Sequence, residues 1–235
     1  RLLVLLVSIG FFMQGLDTTI VNTALPAMAA SLNEDPLQMH SVVVAYVLAV
    51  AACIPLSGWL ADRFGVRNTY FSAIIIFTLA SLGCGFSESV NELLFYRVLQ
   101  GIGGALLLPV GRLAMLKVIP RTQFLSAMSL MSLAGLIGPL IGPTLGGWLV
   151  EVSTWHWIFL INLPMGLLGV LISFKAMPNV TEQNVPRFDF WGFILLVITM
   201  AGLSLGIENF ASPHLTLWWS MGLIVLSLVT ALWYA

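Results

Sequence analysis

An all-α integral membrane fold is what this sequence predicts, on three grounds: its charge content, its apolar runs and the placement of its basic residues. Of 235 residues, 59% are hydrophobic and 8% charged, where soluble domains carry about a quarter of charged residues. Mean hydropathy is +1.01. So few charges could not cover a soluble surface, which excludes a nucleic-acid binder and a disordered chain. Cys53 and Cys84 both lie in apolar runs, which argues against a secreted disulfide scaffold. The runs are continuous rather than alternating, which excludes a β-barrel, and they have the length of about 20 residues that a bilayer-crossing helix needs. The chain opens at Arg1 and stops at Ala235 inside an apolar run, so it reads as an excerpt of a longer polytopic protein.

Eight spans are expected, in the order Leu3–Ala27, Gln38–Leu60, Asn68–Gly85, Glu92–Leu116, Phe124–Val150, Trp157–Ala176, Trp191–Ile207 and Leu215–Tyr234. The polar breaks between them are Asn33–Pro36, Asp62-Arg63, Ser87–Ser89, Pro120-Arg121, Glu151–Ser153, the longer stretch Pro178–Pro186, and Ser212-Pro213. Arg1, Arg63, Arg67, Lys117, Arg121, Lys175 and Arg187 fall on alternate ends, and the opposite loops carry Glu34, Asp35, Glu88, Glu92 and Glu151 with no Lys or Arg. The positive-inside rule then puts the N-terminus and the loops near 63, 119 and 181 in the cytoplasm.

Three charges lie inside spans. Asp17 falls in the first, and Arg97 and Arg112 in the fourth. Each costs at least about 2.5–3.5 kcal/mol at the centre of a membrane helix and so is expected to face a cavity or a partner. At 1.5 Å per residue, Asp17 lies about 15 Å and Arg97 about 8 Å below the outer surface, a difference that an arginine side chain can cover. A pair is compatible with these depths; an Arg97 that only anchors its helix through backbone and polar groups is equally so. Arg112 is five residues from Lys117 and can snorkel to the interface. Alternatively, a net rotation of about 60° from Arg97 puts both arginines on one broad face with Gly101, Gly104 and Gly111. In the fifth span, Gly138, Gly142 and Gly146 form a small-xxx-small stripe beside Gly135 and Gly147, which permits close helix approach. Pro139 and Pro143 each remove a helical hydrogen bond and are expected to bend that helix. In the turn Gly58-Trp59-Leu60-Ala61-Asp62-Arg63-Phe64-Gly65-Val66-Arg67, Gly58 is expected to allow close approach, Gly65 a tight reversal, and Asp62 to cap the following helix or another helix start.

These segments together resemble the major facilitator superfamily. The Gly58–Arg67 turn is similar to its signature between helices 2 and 3, with Val66 and Asn68 as departures. Leu94-x-x-Arg97-x-x-Gln100-Gly101-x-Gly103-Gly104-Ala105 resembles its helix 4 motif, and Gly135-x-x-Gly138-Pro139-x-x-Gly142-Pro143-x-x-Gly146-Gly147 its antiporter motif in helix 5. Leu16–Pro26 and Trp155-His156-Trp157-Ile158-Phe159-Leu160-Ile161-Asn162-Leu163-Pro164-Met165-Gly166 resemble signatures of the fourteen-spanner drug/proton antiporters, and Gly111-Arg112-Leu113 looks like a multidrug-exporter branch of that group. The resemblance implies a major facilitator fold. Residues 1–176 are then a six-helix bundle of two three-helix repeats, 177–190 a cytoplasmic linker, and 191–235 two inserted helices, with the second bundle absent from this chain. The turn Lys117–Arg121 holds no acid, so Arg63 and Arg67 are expected to find partners elsewhere.

The function implied is a proton-coupled secondary transporter in a bacterial inner membrane, exporting small amphipathic or cationic drug-like molecules by alternating access. Asp17 is the candidate proton carrier, with Arg97 and Arg112 in proton or substrate coupling. Gly58, Asp62, Arg63, Gly65 and Arg67 form a cytoplasmic gate, and the glycine–proline helix limits leak. The expected partners are a small-molecule substrate, protons and lipid, without nucleic acid; the proton gradient is the driving force, with no cofactor or metal, and the protein is expected to act as a monomer. An importer or uncoupled facilitator of a small metabolite on the same fold is the alternative. An enzyme or a receptor finds no support, because no nucleophile pair, metal cluster or phosphate loop is present.

Overall fold

The computed structural model describes residues 1–182, 185–211, 221, 222, 224, 225 and 227. Among them every regular element is helical: α1 Leu2–Leu32, α2 Pro36–Cys53, α3 Leu56–Phe64, α4 Val66–Cys84, α5 Val90–Val118, α6 Arg121–Val152, α7 Trp157–Leu160, α8 Asn162–Ala176 and α9 Phe190–Ala211. The eighth expected span, Leu215–Tyr234, lies mostly outside the described residues. The chain is a multi-pass membrane protein: five helices are long and apolar enough to cross a bilayer, and a bent α2–α3 pair makes a sixth.

Of the expected spans, one is broken rather than continuous. The second bends by 57° between α2 and α3. Pro55 has no N–H to donate to the Ala51 carbonyl one turn back, and the Ile54 carbonyl accepts from the Ser57 hydroxyl at 2.6 Å and the Ser57 amide at 3.1 Å. The sixth, Trp157–Ala176, is one apolar span of 20 residues in which Ile161, between α7 and α8, keeps helical dihedrals. Other ends follow their capping chemistry. α1 continues past Ala27 to Leu32 and closes with Asn33 in the left-handed region, its N–H donating to Ala29. At the start of α5, Ser89 Oγ accepts from the Glu92 amide at 3.3 Å and the Glu92 carboxylate accepts from the Glu88 amide at 3.0 Å, a variant of the capping box.

α5 is the central helix, enclosed by α1, α2 and α4, while α8 packs on α1 and α4 and α9 rests on α2. Close backbone approach makes this density possible. A Cβ on Gly103 would lie 2.6 Å from the Phe77 amide nitrogen of α4, and one on Gly101 would lie 2.7 Å from the Tyr46 carbonyl of α2. The stripe of α6 packs along α1 in the same way: a Cβ on Gly138 would meet the Leu16 nitrogen at 2.6 Å, while Gly142 and Gly146 face Thr19 and Thr23. Gly147 lies off the stripe and faces open space. Pro139 and Pro143 do not interrupt the helix, which runs as one element from Arg121 to Val152. The Gly135 carbonyl that Pro139 leaves without its helical donor lies against Gly15 of α1, where a Cβ would approach it to 2.7 Å.

The segment after α8 is a strap across the α3–α4 turn. The Val66 amide donates to the Val180 carbonyl and the Glu182 amide to the Asp62 carbonyl, each at 3.3 Å. Trp59 Nε1 donates to the Pro186 carbonyl at 3.2 Å, and its ring lies 5.0 Å from that of Phe188. Lys117 pairs with Glu182 at 3.1 Å. Gly65, at φ 87°, makes the reversal that the sequence implies. Two expectations for this turn need correction. Asp62 does not cap α4, which has no side-chain cap; it contributes its main-chain carbonyl to the strap. Gly58 does not mediate close helix approach, since nothing lies within 4 Å of a Cβ placed there. Arg67 lies over the Phe174 ring at 5.3 Å, and Arg63 is exposed without an ion pair among the described residues.

Candidate functional site

A polar cluster lies inside the apolar bundle, assembled from five helices. Asp17 of α1 and Gln100 of α5 are fully buried, as are Ser81 of α4 and Asn162 at the start of α8, and Arg97 is 1% exposed. Arg97 and Gln100, three residues apart, share one face of α5. Arg97 Nη1 donates to Asp17 Oδ2 at 2.7 Å and to Gln100 Oε1 at 2.8 Å, and its Nε donates to the Val42 carbonyl of α2 at 3.3 Å. Gln100 Nε2 donates to Asp17 Oδ1 at 2.8 Å and to Ser81 Oγ at 3.2 Å. Asn162 Nδ2 donates to the same Asp17 oxygen at 3.4 Å and to Ser81 Oγ at 3.1 Å. The Ser81 hydroxyl in turn donates to the Phe159 carbonyl at 2.9 Å. The Cys84 thiol lies 3.7 Å from Gln100 Oε1.

The Arg97 guanidinium is also held between aromatic rings, 4.2 Å from the centroid of Tyr46 and 5.8 Å from that of Phe159. A desolvated cation gains from such faces. The carboxylate therefore meets three donors and one full countercharge. The Tyr46 hydroxyl and Asn162 Oδ1 are buried without a hydrogen-bond partner.

The structure brings Asp17 and Arg97 together and places Arg112 elsewhere. Arg112 is exposed, lies over the Phe11 ring at 5.6 Å and lines a cavity of about 520 Å³ with Gln14, Ser57, Gly58, Leu108 and Leu113. The common arginine face expected from rotation does not form a common cavity wall. α5 is enclosed on most sides, so a turn of about 60° carries a side chain from the interior to the cavity. Gly101, Gly104 and Gly111 on that face are packing points against Tyr46, Phe77, Val7 and Tyr70 instead. A larger cavity of about 1150 Å³ opens between α1 and α6, bordered by Arg1, Ser8, Phe12, Ser126 and Leu133.

Sequence reasoning assigned no role to Gln100, Asn162, Ser81 or Tyr46. Gln100 carried a usable signal, since it is three residues from an intramembrane arginine. Asn162 carried a weaker one as a lone carboxamide in an apolar run. Ser81 carried none, because a serine can satisfy itself on its own helix.

A sequence profile described as Major Facilitator Superfamily matches residues 7–235. A candidate multidrug resistance protein, MdtD, from Pectobacterium atrosepticum is 56% identical over 229 residues, covering 97% of this chain and 49% of that protein. Its counterpart from Cronobacter sakazakii is 58% identical over 211 residues, covering 90% and 45%. The chain thus spans about half the length of the curated relatives it matches. Among solved structures, a D-xylose-proton symporter superposes with a TM-score of 0.63 at 18% identity, over 99% of this chain and 66% of that one. That likeness speaks to the fold alone.

Proposed function

The chain belongs to the major facilitator superfamily, and from that premise we propose that it carries the proton site of a proton-coupled exporter of small amphipathic molecules. Asp17 is the proton carrier in this reading. The observation that supports it most is the Asp17–Arg97 pair at 2.7 Å, with both side chains buried. While the pair is intact, its net charge is zero. Protonating Asp17 leaves the guanidinium without its countercharge, which is costly in a low-dielectric interior. Proton uptake therefore favours a rearrangement of α1 against α5, and such coupling is what an alternating-access carrier needs. Asp17 is fully buried, so a proton reaches it only when the helices part.

The charged side chains lining the two cavities are Arg1 and Arg112, and the amphipathic or cationic class of substrate comes from the family resemblance. The division into a bundle over 1–176, a linker over 177–190 and an inserted pair over 191–235 belongs to the same reading, as do the inner-membrane location and the cytoplasmic N-terminus.

The test uses the full-length protein in proteoliposomes with an imposed pH gradient, following proton movement as amphipathic compounds are added. Asp17→Asn should abolish substrate-dependent proton movement. Because Arg97 loses its countercharge in that variant, Asp17→Asn/Arg97→Gln serves as a charge-balanced control and should be equally uncoupled. Undiminished coupling in both would sink the assignment, and the direction of counterflow separates export from import.

A further inference from the structure

We infer that Asn162 reads the protonation state of Asp17 by reversing its carboxamide, donating to the ionised carboxylate and accepting from the protonated one. The inference rests on the reading of Asp17 as proton carrier. It starts from the orphaned Asn162 Oδ1, a fully buried residue's acceptor with no partner. Buried acceptors are rarely left so, and here the cause is visible. The amide must present its nitrogen to the ionised Asp17 and to Ser81, and doing so turns the oxygen away.

A proton on Asp17 Oδ1 reverses that requirement, because the carboxyl group then donates and needs an acceptor. Gln100 cannot supply it. Its Oε1 already accepts from Arg97 at 2.8 Å, and a flip would set its NH₂ against the guanidinium while breaking its bonds to Asp17 and Ser81. Ser81 Oγ accepts from both amides and donates to the Phe159 carbonyl. Two oxygens near Asp17 are not yet engaged, the Tyr46 hydroxyl and Asn162 Oδ1, and of these only Asn162 belongs to a side chain already bonded to the acid. Its present bond to Asp17 is also the longest of the three, at 3.4 Å against 2.7 and 2.8 Å, and its reversal gives up the 3.1 Å bond to Ser81 as well. Since Asn162 is the first residue of α8, directly after Ile161, its reversal reports the charge of α1 to the α7–α8 junction.

The titratable and charged groups facing Asp17 are Arg97 on α5, Tyr46 on α2 and Cys84 on α4. The charged residues of α6 and α8, Arg121, Glu151 and Lys175, lie at helix ends. Asn162 is thus a neutral group whose effect on Asp17 depends on which end of its amide faces the acid.

The sign of that effect is the test. If Asn162 only donates to the carboxylate, Asn162→Ala raises the proton affinity of Asp17. If it also accepts from the protonated acid with the stronger bond, the same change lowers it, moving the pH midpoint of substrate-driven proton movement down by about one unit, a tenfold loss of affinity. The measurement uses the full-length protein in proteoliposomes. In parallel, infrared difference spectra taken across the titration should show the carbonyl stretch of protonated Asp17 at higher frequency in Asn162→Ala, as expected for a lost acceptor. Asn162→Ser, which keeps a hydroxyl able to accept, covers the case in which the alanine variant fails to fold and should fall between it and wild type. An unchanged or raised midpoint overturns the inference, as does an unmoved band. If the titration and the band instead persist in Asp17→Asn, the proton-carrier reading itself has failed, a result distinguishable from the other two.

Discussion

Arg97 and Asp17 stabilise each other only as a pair. Removing one partner of a buried ion pair leaves an uncompensated charge and costs about 3–5 kcal/mol, whereas replacing both is often neutral. Asp17→Asn and Arg97→Gln should therefore each lower the thermal unfolding midpoint of the detergent-solubilised protein, and the double variant should be more stable than either single one. Additive losses would mean that the side chains act independently of one another. The pair itself was within reach of sequence reasoning, since helical rise puts the two charges at compatible depths. Its neighbours were less so, Gln100 leaving a usable signal, Asn162 a weaker one and Ser81 none. Gln100 and Asn162 meet Asp17, and Ser81 meets both of them, because α4, α5 and α8 converge on α1, and lateral convergence depends on packing that no spacing along one chain encodes.

At the level of the helix, glycine position decides what can be substituted. A side chain at Gly138 collides with the backbone of α1, whereas one at Gly147 meets open space. Gly138→Val should destabilise the protein by about 1–3 kcal/mol through overpacking, visible as a lowered unfolding midpoint, and Gly147→Ala, free of any clash, should leave the midpoint unchanged or raise it slightly. Equal effects at both positions would show that the stripe is not a packing seam. The first six spans were legible because bilayer thickness sets a minimum length for each of them, and the seam because a four-residue repeat of glycine has few other uses. The course of the helices through proline was less legible. Pro55 coincides with a 57° bend, while Pro139 and Pro143 lie within one uninterrupted element. At Pro139 the released carbonyl is covered by Gly15 of a neighbouring helix, a circumstance outside the local sequence.

For the molecule as a whole, the strap ties the end of the first six spans to the turn between α3 and α4. Its Lys117–Glu182 pair is 20% and 55% exposed, and exposed pairs contribute about 0–1 kcal/mol. Main-chain bonds and the Trp59 side chain hold it instead. Trp59→Ala should accordingly speed hydrogen exchange at the Val66 and Glu182 amides, while Lys117→Gln should leave both nearly as protected as before; the reverse pattern would make the ion pair the fastening. The buried pair bears on biosynthesis as well. Arg97 follows Asp17 by 80 residues and Asn162 follows it by 145. A ribosome adding about 5–20 residues per second makes the first of these intervals last roughly 4–16 s. Through that time the first helix has an acid and no base to meet it, so it either enters the lipid as the neutral acid or waits beside the insertion machinery until the fourth span arrives.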